Sequence, residues 1–290
     1  MIARNLTHLM AGAILLISAS AMANHPVIVE GNNVTDGPPG TTTTLLPGTG
    51  GDYDGDGIVG IAEDADNATD RIFGTIGAAL RSANGGANAN GSVTVVTSGR
   101  FNESINVPDF GSGQNTLNGV TVTEAAPGVS ADINAVLQGD AVGNAIRQDG
   151  VGFNISSPDT DKLVILRNLT IRNFNVGVQI SGNVRVIIEN CKFESNLAHN
   201  ILALDSSRVT IVNTSVHAAG MRFNPVKGTP NPGNGITVLN SALAYIRHSN
   251  ISGNTAAGIQ NASSRTTRVF DTTVSDNGQG FVGTNFNVQN

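Results

Sequence analysis

The 290-residue chain is poor in charged residues, aromatic residues and cysteine. Charged residues make up 13% of the chain and aromatic residues 4%, tryptophan is absent, and the formal net charge is −6. This acidic balance argues against a nucleic-acid-binding surface. The lack of tryptophan removes the usual flat platform for stacking sugar rings. A single cysteine, Cys191, excludes an intrachain disulfide, so stability must come from a packed core and backbone hydrogen bonds.

Long hydrophobic runs are also scarce, and the clearest one lies near the start of the chain. Arg4 precedes an apolar stretch over 9–17, and the small-residue sequence Ala21-Met22-Ala23 follows it. This order predicts an export signal over 1–23, and the apolar stretch is too short to span a bilayer. We therefore expect a protein that is secreted, on the cell surface or in the periplasm, without a membrane span after signal cleavage.

Turn-forming and β-forming residues dominate what is present. Glycine, asparagine, threonine and valine are abundant, which favours β structure over a helical bundle. Residues 24–51 carry repeated proline and glycine turn signals and predict a flexible tether, with Val27-Ile28-Val29 as a single edge strand. Residues 72–83 place apolar side chains at helical spacing and end before Asn84-Gly85-Gly86, which predicts a helix.

An acidic loop lies between the predicted tether and the predicted helix, within 52–71. Its first twelve residues match the EF-hand calcium loop at positions 1, 3, 5, 6 and 12, with Gly57 at the turn. Carboxylates this close repel one another unless a cation offsets their charge. No clear helix precedes the loop, so it resembles an isolated, dockerin-like calcium loop, and a solvated Asp-Gly turn is the alternative. The predicted calcium ligands are Asp52, Asp54, Asp56, Ile58 and Glu63.

The strongest pattern is an internal repeat in the C-terminal part of the chain. A polar residue, the first anchor, recurs every 22 or 23 residues, apart from one 12-residue insertion at 222–233. A second anchor follows 9 or 10 residues later once the insertion is removed. The first anchors are Asn168, Asn190, Asn213, His248 and Asp271, and the second anchors are Gly177, Asn200, Gly235, Gly258 and Gly280.

Apolar residues keep fixed positions relative to the two anchors and form three columns. One repeat cannot bury three columns alone, but stacked repeats can, with about 4.8 Å between equivalent strands. Each repeat is therefore predicted to contain three strands with a bend at the first anchor, in an all-β parallel solenoid. The columns are Leu166, Ile188, Ile211, Ile246 and Val269; Ile171, Phe193, Val216, Ile251 and Val274; and Val178, Ile201, Ile236, Ile259 and Phe281.

These repeats resemble the right-handed parallel β-helix proteins of the pectin-lyase-like superfamily, in particular exported bacterial β-helix repeat proteins of unassigned function. The segments from Phe73 to Leu80 and from Val93 to Ser104 share the likeness. The resemblance implies a right-handed parallel β-helix over 72–290, with the helix at 72–83 capping its N-terminal end. It implies no single activity, because proteins that share this fold differ widely in function.

Enzymes of this fold that cleave polysaccharides place acids beside arginine or lysine on one exposed face. The corresponding candidate ligand face here consists of Arg172, Lys192, Glu194 and His217. Cross-rung charge pairing explains the same residues without any ligand, and we favour that interpretation. A second group could supply acid and base but is typical of Asp-rich turns: Asp140, Arg147, Asp149, Asp159 and Asp161. Cys191 and His248 are both expected to be structural.

The expected function is therefore that of an exported, non-catalytic, calcium-stabilised solenoid, acting as a surface, matrix or adhesion component. No capping helix is recognisable after Phe281, so we expect self-association through the C-terminal end of the solenoid. One alternative is a polysaccharide lyase or hydrolase that uses the candidate ligand face and the 222–233 insertion. Another is a carbohydrate-binding module without turnover.

Overall fold

The structure is a computed structural model. It describes residues 27–29, 72–73, 75–83, 92–95, 98–107, 120–135, 138–139, 146–147, 150–158, 162–220, 223–224, 229–230 and 232–289. The predicted export signal and the predicted calcium-loop segment lie outside these residues and stay predictions.

The chain winds through three parallel β-sheets, which we call A, B and C. From Ser92 onward each turn of the chain adds one strand to A, one to B and one to C, and we call these turns rungs 1 to 7. Sheet A has two strands before rung 1 and one after rung 7: Ile72–Phe73, Val27–Val29, Ser92–Val95, Val120–Ala125, Leu163–Arg167, Arg185–Glu189, Arg208–Val212, Leu243–Arg247, Thr267–Phe270 and Phe286–Gln289.

Sheets B and C each contain one strand per rung. The strands of sheet B are Gly99–Asn102, Ala131–Asn134, Leu169–Arg172, Lys192–Glu194, Ser215–His217, Asn250–Ser252 and Thr273–Ser275. The strands of sheet C are Ile105–Val107, Val151–Ser157, Val176–Gly182, His199–Ala203, Asn234–Asn240, Ala257–Ser263 and Gln279–Gly283. Two short hairpins leave the rungs, Gln138–Gly139 with Ile146–Arg147 and Phe223–Asn224 with Thr229–Pro230.

The strand register confirms the three predicted apolar columns. The Leu166 column runs through sheet A, the Ile171 column through sheet B and the Val178 column through sheet C, each in the predicted order. All of these side chains are buried except Val274, which is partly buried, and Phe281, which is 40% exposed. The insertion does not disturb the stacking, because His199 on rung 4 still pairs with Asn234 on rung 5. The all-β solenoid and its repeat are thus confirmed.

The five first anchors form the bends between sheets A and B, as predicted. All five have a positive φ, from 42° at Asp271 to 58° at Asn168. Asparagine and aspartate adopt this left-handed conformation more readily than most residues, because their short polar side chains can bond locally to the backbone. The repeated polar residue is therefore a backbone requirement of the bend.

The N-terminal end of the solenoid differs in detail from the prediction. The helix, α1, spans Ile76–Ala83 and begins four residues later than expected, because Ile72–Phe73 pairs as a strand with Val27–Val29. Val27–Val29 is a strand as predicted, but it lies between Ile72–Phe73 and Ser92–Val95 and is not the sheet edge. Three residues of the predicted tether therefore belong to sheet A.

Helix α1 packs over the first strands of sheets A and C and buries Ile76, Ala79 and Leu80 in the core. The Glu103 carboxylate accepts hydrogen bonds from the amides of Ile76 at 2.8 Å and Gly77 at 2.9 Å. Those amides have no partner within the helix, and a negative charge there is favourable. The helix thus lies where the predicted cap was expected. Among the described residues no helix has the length and apolarity needed to cross a bilayer.

Candidate functional site

The outer face of sheet B brings the four residues of the candidate ligand face together around one carboxylate. Arg172, Glu194 and His217 stand in register on rungs 3, 4 and 5, and Lys192 lies two residues before Glu194 on its strand. Lys192 Nζ is 2.7 Å from Glu194 Oε2, and His217 Nε2 is 3.3 Å from the same oxygen. Arg172 Nη1 donates to Glu194 Oε1 at 3.1 Å. The four side chains therefore form one network.

Asp132 on rung 2 completes this network, and the sequence analysis did not identify it. Arg172 Nε donates to Asp132 Oδ1 at 2.9 Å, and Arg172 Nη2 donates to Oδ2. Arg100 Nε lies 3.9 Å from Asp132 Oδ2. Asp132 precedes the first aligned repeat and stands in register with Thr170, so Arg172 reaches it diagonally. An alignment of Ala131–Asn134 with Leu169–Arg172 would have placed Asp132 beside Arg172 from the sequence alone.

The network keeps the Glu194 carboxylate ionised. Partial burial raises the pKa of Glu194, but the Lys192 hydrogen bond and the charges of Lys192, His217 and Arg172 outweigh it, so the pKa is lowered. The pKa of Arg172 is raised because its hydrogen bond to Asp132 outweighs burial. A general acid needs a pKa near the working pH, and a carboxyl with a lowered pKa is poorly suited to that role.

A second ladder of alternating charge runs along the outer face of sheet A. Arg167 on rung 3 donates from Nη1 to Glu124 Oε2 on rung 2 and from Nε to Glu189 Oε2 on rung 4, both at 2.9 Å. Burial lowers the pKa of Arg167, but the hydrogen bonds and charges of Glu124 and Glu189 outweigh it and the net shift is upward. Both ladders join neighbouring rungs through opposite charges, as cross-strand pairing predicts.

Comparison with known proteins identifies the fold family. A family model described as a right-handed β-helix region matches residues 110–277, which is more than half of the chain. The chain belongs to the right-handed β-helix family. No curated protein and no solved structure matches it. The match identifies the solenoid as right-handed. The narrower pectin-lyase-like resemblance stays a prediction.

A shallow depression of about 490 Å³ lies over the bends of rungs 5 to 7 of this β-helix and is lined by Asn213, His248 and Asp271 among others. His248 Nδ1 is 3.8 Å from Asp271 Oδ2, and the two side chains are 55% and 63% exposed. An exposed pair at this distance contributes little free energy. His248 occupies the bend position predicted for it.

Cys191 faces the interior of the β-helix, as predicted, and is 3% exposed. Burial raises the pKa of its thiol to about 12. Its backbone amide donates to the Thr214 hydroxyl, which begins a ladder of hydroxyl groups through Ser249 and Thr272. The thiol is therefore an unreactive part of a stacking column.

The remaining predicted sites fall mostly outside the described residues. These include the predicted calcium ligands Asp52, Asp54, Asp56, Ile58 and Glu63, and also Asp140, Asp149, Asp159 and Asp161. Arg147 ends the short strand Ile146–Arg147. Within the part of the chain that the structure describes, no three histidine, cysteine or acidic side chains gather in a way that could hold a metal ion.

Proposed function

We propose that the chain is an exported, non-catalytic β-helix that serves as a surface, matrix or adhesion component. The observation that carries this proposal is that Asp132 and Glu194, the two acids of the sheet B network, are both held in ion pairs. Each lies within ion-pair distance of at least two cationic side chains, and the pKa of Glu194 is lowered. These ion pairs join neighbouring rungs, and a Glu194 carboxyl with a lowered pKa has little capacity to donate a proton.

Incubation of the full chain with neutral and acidic polysaccharides, with and without calcium, tests the absence of catalysis. We expect no new reducing ends and no unsaturated products. Cleavage that Lys192→Ala abolishes would contradict the proposal and support a lyase or hydrolase. Lys162→Ala is the matched control, because Lys162 precedes the rung 3 strand of sheet A and lies outside the network.

We also propose that calcium binding to the loop with Asp52, Asp54, Asp56, Ile58 and Glu63 stabilises the protein. Calcium at about 100 times its dissociation constant adds about 2.7 kcal/mol to the free energy of unfolding. Thermal unfolding in calcium and in chelator measures this difference, which Asp54→Asn should remove. Asp276→Asn, an exposed aspartate of rung 7, should keep it. A melting temperature that calcium does not change would contradict the proposal.

A second candidate function is the binding of an acidic glycan without turnover. The specific observation in its favour is the charge of the sheet B network, where three cations, Arg100, Arg172 and Lys192, face two carboxylates among the residues that the structure describes. A glycan array followed by product analysis distinguishes the functions. Retention of acidic glycans that Lys192→Ala weakens, without products, would support binding, and no retention would leave the structural role.

A further inference from the structure

Among the described residues, one pair of like charges in register interrupts the alternation of sign on the outer surface of the β-helix. Arg185 on rung 4 is in register with Arg208 on rung 5, and both side chains are exposed. Other in-register charges among the described residues have opposite signs, as in the pairs Arg100–Asp132, Arg167–Glu189 and Arg172–Glu194. Like charges on directly opposed strand positions repel each other, so this pair departs from the pattern that stabilises the rest of the surface.

Neither guanidinium has an acidic partner among the described residues. Along their own column the neighbours are Leu163 and Leu243, which carry no charge. The described acids nearest to the two arginines in sequence are already engaged. Glu189 accepts a hydrogen bond from Arg167. Asp205 accepts one from the Gly182 amide at 3.1 Å and one from the Asn240 side chain at 3.3 Å.

We propose that Arg185 and Arg208 form a binding site for a tetrahedral oxyanion, the phosphate or sulfate group of a ligand. Neighbouring strands are about 4.8 Å apart, so two arginines in register can reach one anion. A guanidinium binds an anion best through two parallel N–H bonds, and two guanidiniums together then need more than two acceptor oxygens. Phosphate and sulfate groups supply three or four oxygens and a carboxylate supplies two, so the pair selects the tetrahedral group.

Thr210 provides a further donor at this site. It lies two residues after Arg208 on the same outer face and is half-buried. Its hydroxyl makes no hydrogen bond with a described residue, so it remains available to an anion held over rungs 4 and 5. An anion in this position also removes the repulsion between the two arginines, which gives its binding a source of free energy beyond the hydrogen bonds.

Titration of the full chain with inorganic phosphate, followed through the arginine side-chain Nε–H signals in NMR spectra, tests the proposal. We expect Arg185 and Arg208 to respond together with one dissociation constant. Acetate at equal ionic strength should bind about tenfold more weakly, and Arg185→Gln or Arg208→Gln should weaken phosphate binding about tenfold, because each removes a charge-assisted contact. Circular dichroism checks that each variant keeps its fold.

Arg247→Gln is the matched control. Arg247 is also exposed on the outer face of sheet A, but its register partners are the uncharged Val212 and Phe270, and the diagonal Arg268 lies over the Tyr245 ring, 5.3 Å from its centroid. This variant should bind phosphate like the wild type. Equal responses to phosphate and acetate, or an equal response at Arg247, would overturn the proposal, because either would indicate ordinary counter-ion screening.

A second arm of the titration identifies the source of the group. Inorganic sulfate and a sulfated oligosaccharide are compared at equal concentration of sulfate groups. Tighter binding of the oligosaccharide would support the proposal and assign the site to a polymer-borne ester. Equal affinity for ester and free ion would support it and assign the site to a free oxyanion. Failure of both to bind, together with no response to phosphate, would overturn it.

Discussion

At each bend between sheets A and B the backbone direction changes at a residue with a positive φ. Asn168, Asn190 and Asn213 have φ values of 58°, 52° and 47°. The left-handed region costs a β-branched residue more than it costs asparagine, because the branched Cβ crowds the neighbouring backbone. Glycine has no such cost. The bends should therefore discriminate sharply among substitutions.

Asn190 offers the clearest test, because its side chain is exposed and little packing is lost with it. Asn190→Val should lower the free energy of unfolding by about 1–2 kcal/mol, the usual penalty for a left-handed residue with a Cβ. Asn190→Gly should leave it nearly unchanged. Urea unfolding followed by circular dichroism measures both. Equal stability of the two variants would contradict a role for backbone strain.

His199 makes the stability of the protein depend on pH. Its Nδ1 lies 2.9 Å from the Thr237 hydroxyl on the outer face of sheet C, and burial lowers its pKa from the ordinary value of 6.5. The unfolded chain therefore takes up this proton at higher pH than the folded chain does. Folding stability is highest above the ordinary pKa and decreases as the pH falls from there toward the lowered folded value.

His199→Gln removes the ionisable ring and keeps an amide that can bond to Thr237. The loss of unfolding free energy between about pH 7.5 and about pH 5.5 should be smaller in this variant than in the wild type. His248→Gln removes an exposed histidine and should keep the wild-type loss. Urea titrations at the two pH values supply the comparison. An unchanged pH dependence in His199→Gln would show that the buried ring is not its source.

At the scale of elements, the second anchor is explained by contact between neighbouring rungs. A Cβ added to Gly177 would lie 2.8 Å from the side-chain nitrogen of Asn196 on the next rung, and one added to Gly235 would lie 2.8 Å from that of Asn254. Real Cβ atoms do not approach other atoms this closely. The carbonyl oxygens of the next second anchors, Asn200 and Gly258, would be closer still, at 2.5 Å and 2.6 Å, so glycine makes room for this carbonyl and for an asparagine on the rung that follows.

The one exception to this glycine column follows the same rule. On rung 5, Ala219 occupies the position that Asn196 holds on rung 4 and Asn254 holds on rung 6. The second anchor of rung 4 therefore meets no asparagine side chain on rung 5 and can itself be an asparagine, Asn200. Its side-chain oxygen accepts from Asn196 at 2.7 Å, and its nitrogen donates to Asn254 at 3.2 Å and to the His217 carbonyl at 3.1 Å. Asn200 therefore restores the amide ladder that Ala219 interrupts.

A double-mutant cycle tests this exchange. Asn200→Gly should lower the free energy of unfolding by about 2 kcal/mol, because it leaves buried amide groups without partners. Ala219→Asn alone should also lower it, by about 1–3 kcal/mol, because the new side chain meets Asn200. The double variant should lose less than half of the unfolding free energy that the two single variants lose in sum. Additive losses in urea unfolding would contradict the exchange.

These elements show which parts of the structure local sequence can predict. The apolar columns and bends were predictable because each repeat places the same residue types at the same spacing, so the register follows from alignment. The strand at Ile72–Phe73 was not predictable from local sequence, because its pairing partner, Val27–Val29, lies far away in the sequence. Asp132 reaches Arg172 along a diagonal, and the Asn200 exchange links three rungs. Both depend on stacking, which one repeat does not reveal.

At the scale of the whole molecule, the two ends of the solenoid differ. Helix α1 covers the N-terminal end of the core. At the other end, Val288 continues the Leu166 column and Phe281 continues the Val178 column, and they are 43% and 40% exposed. Phe281 packs edge-on against Phe286, with ring centroids 5.2 Å apart. The last described strands thus present apolar side chains beside a strand edge, a combination that promotes pairing between chains.

We therefore predict that two copies associate through this end, and Val288→Lys tests it by placing a charge over the core column. The wild type should exceed the monomer mass at high concentration in light scattering with calcium present, and Val288→Lys should remain a monomer. Gln289→Lys is the matched control, because it adds the same charge to the same strand on the outer face, where Gln289 pairs with the uncharged Phe270. A wild type that stays strictly monomeric would contradict the prediction. Loss of association in both variants would trace the effect to added charge at the strand edge, because a contact through the core column would be disturbed at position 288 and spared at position 289.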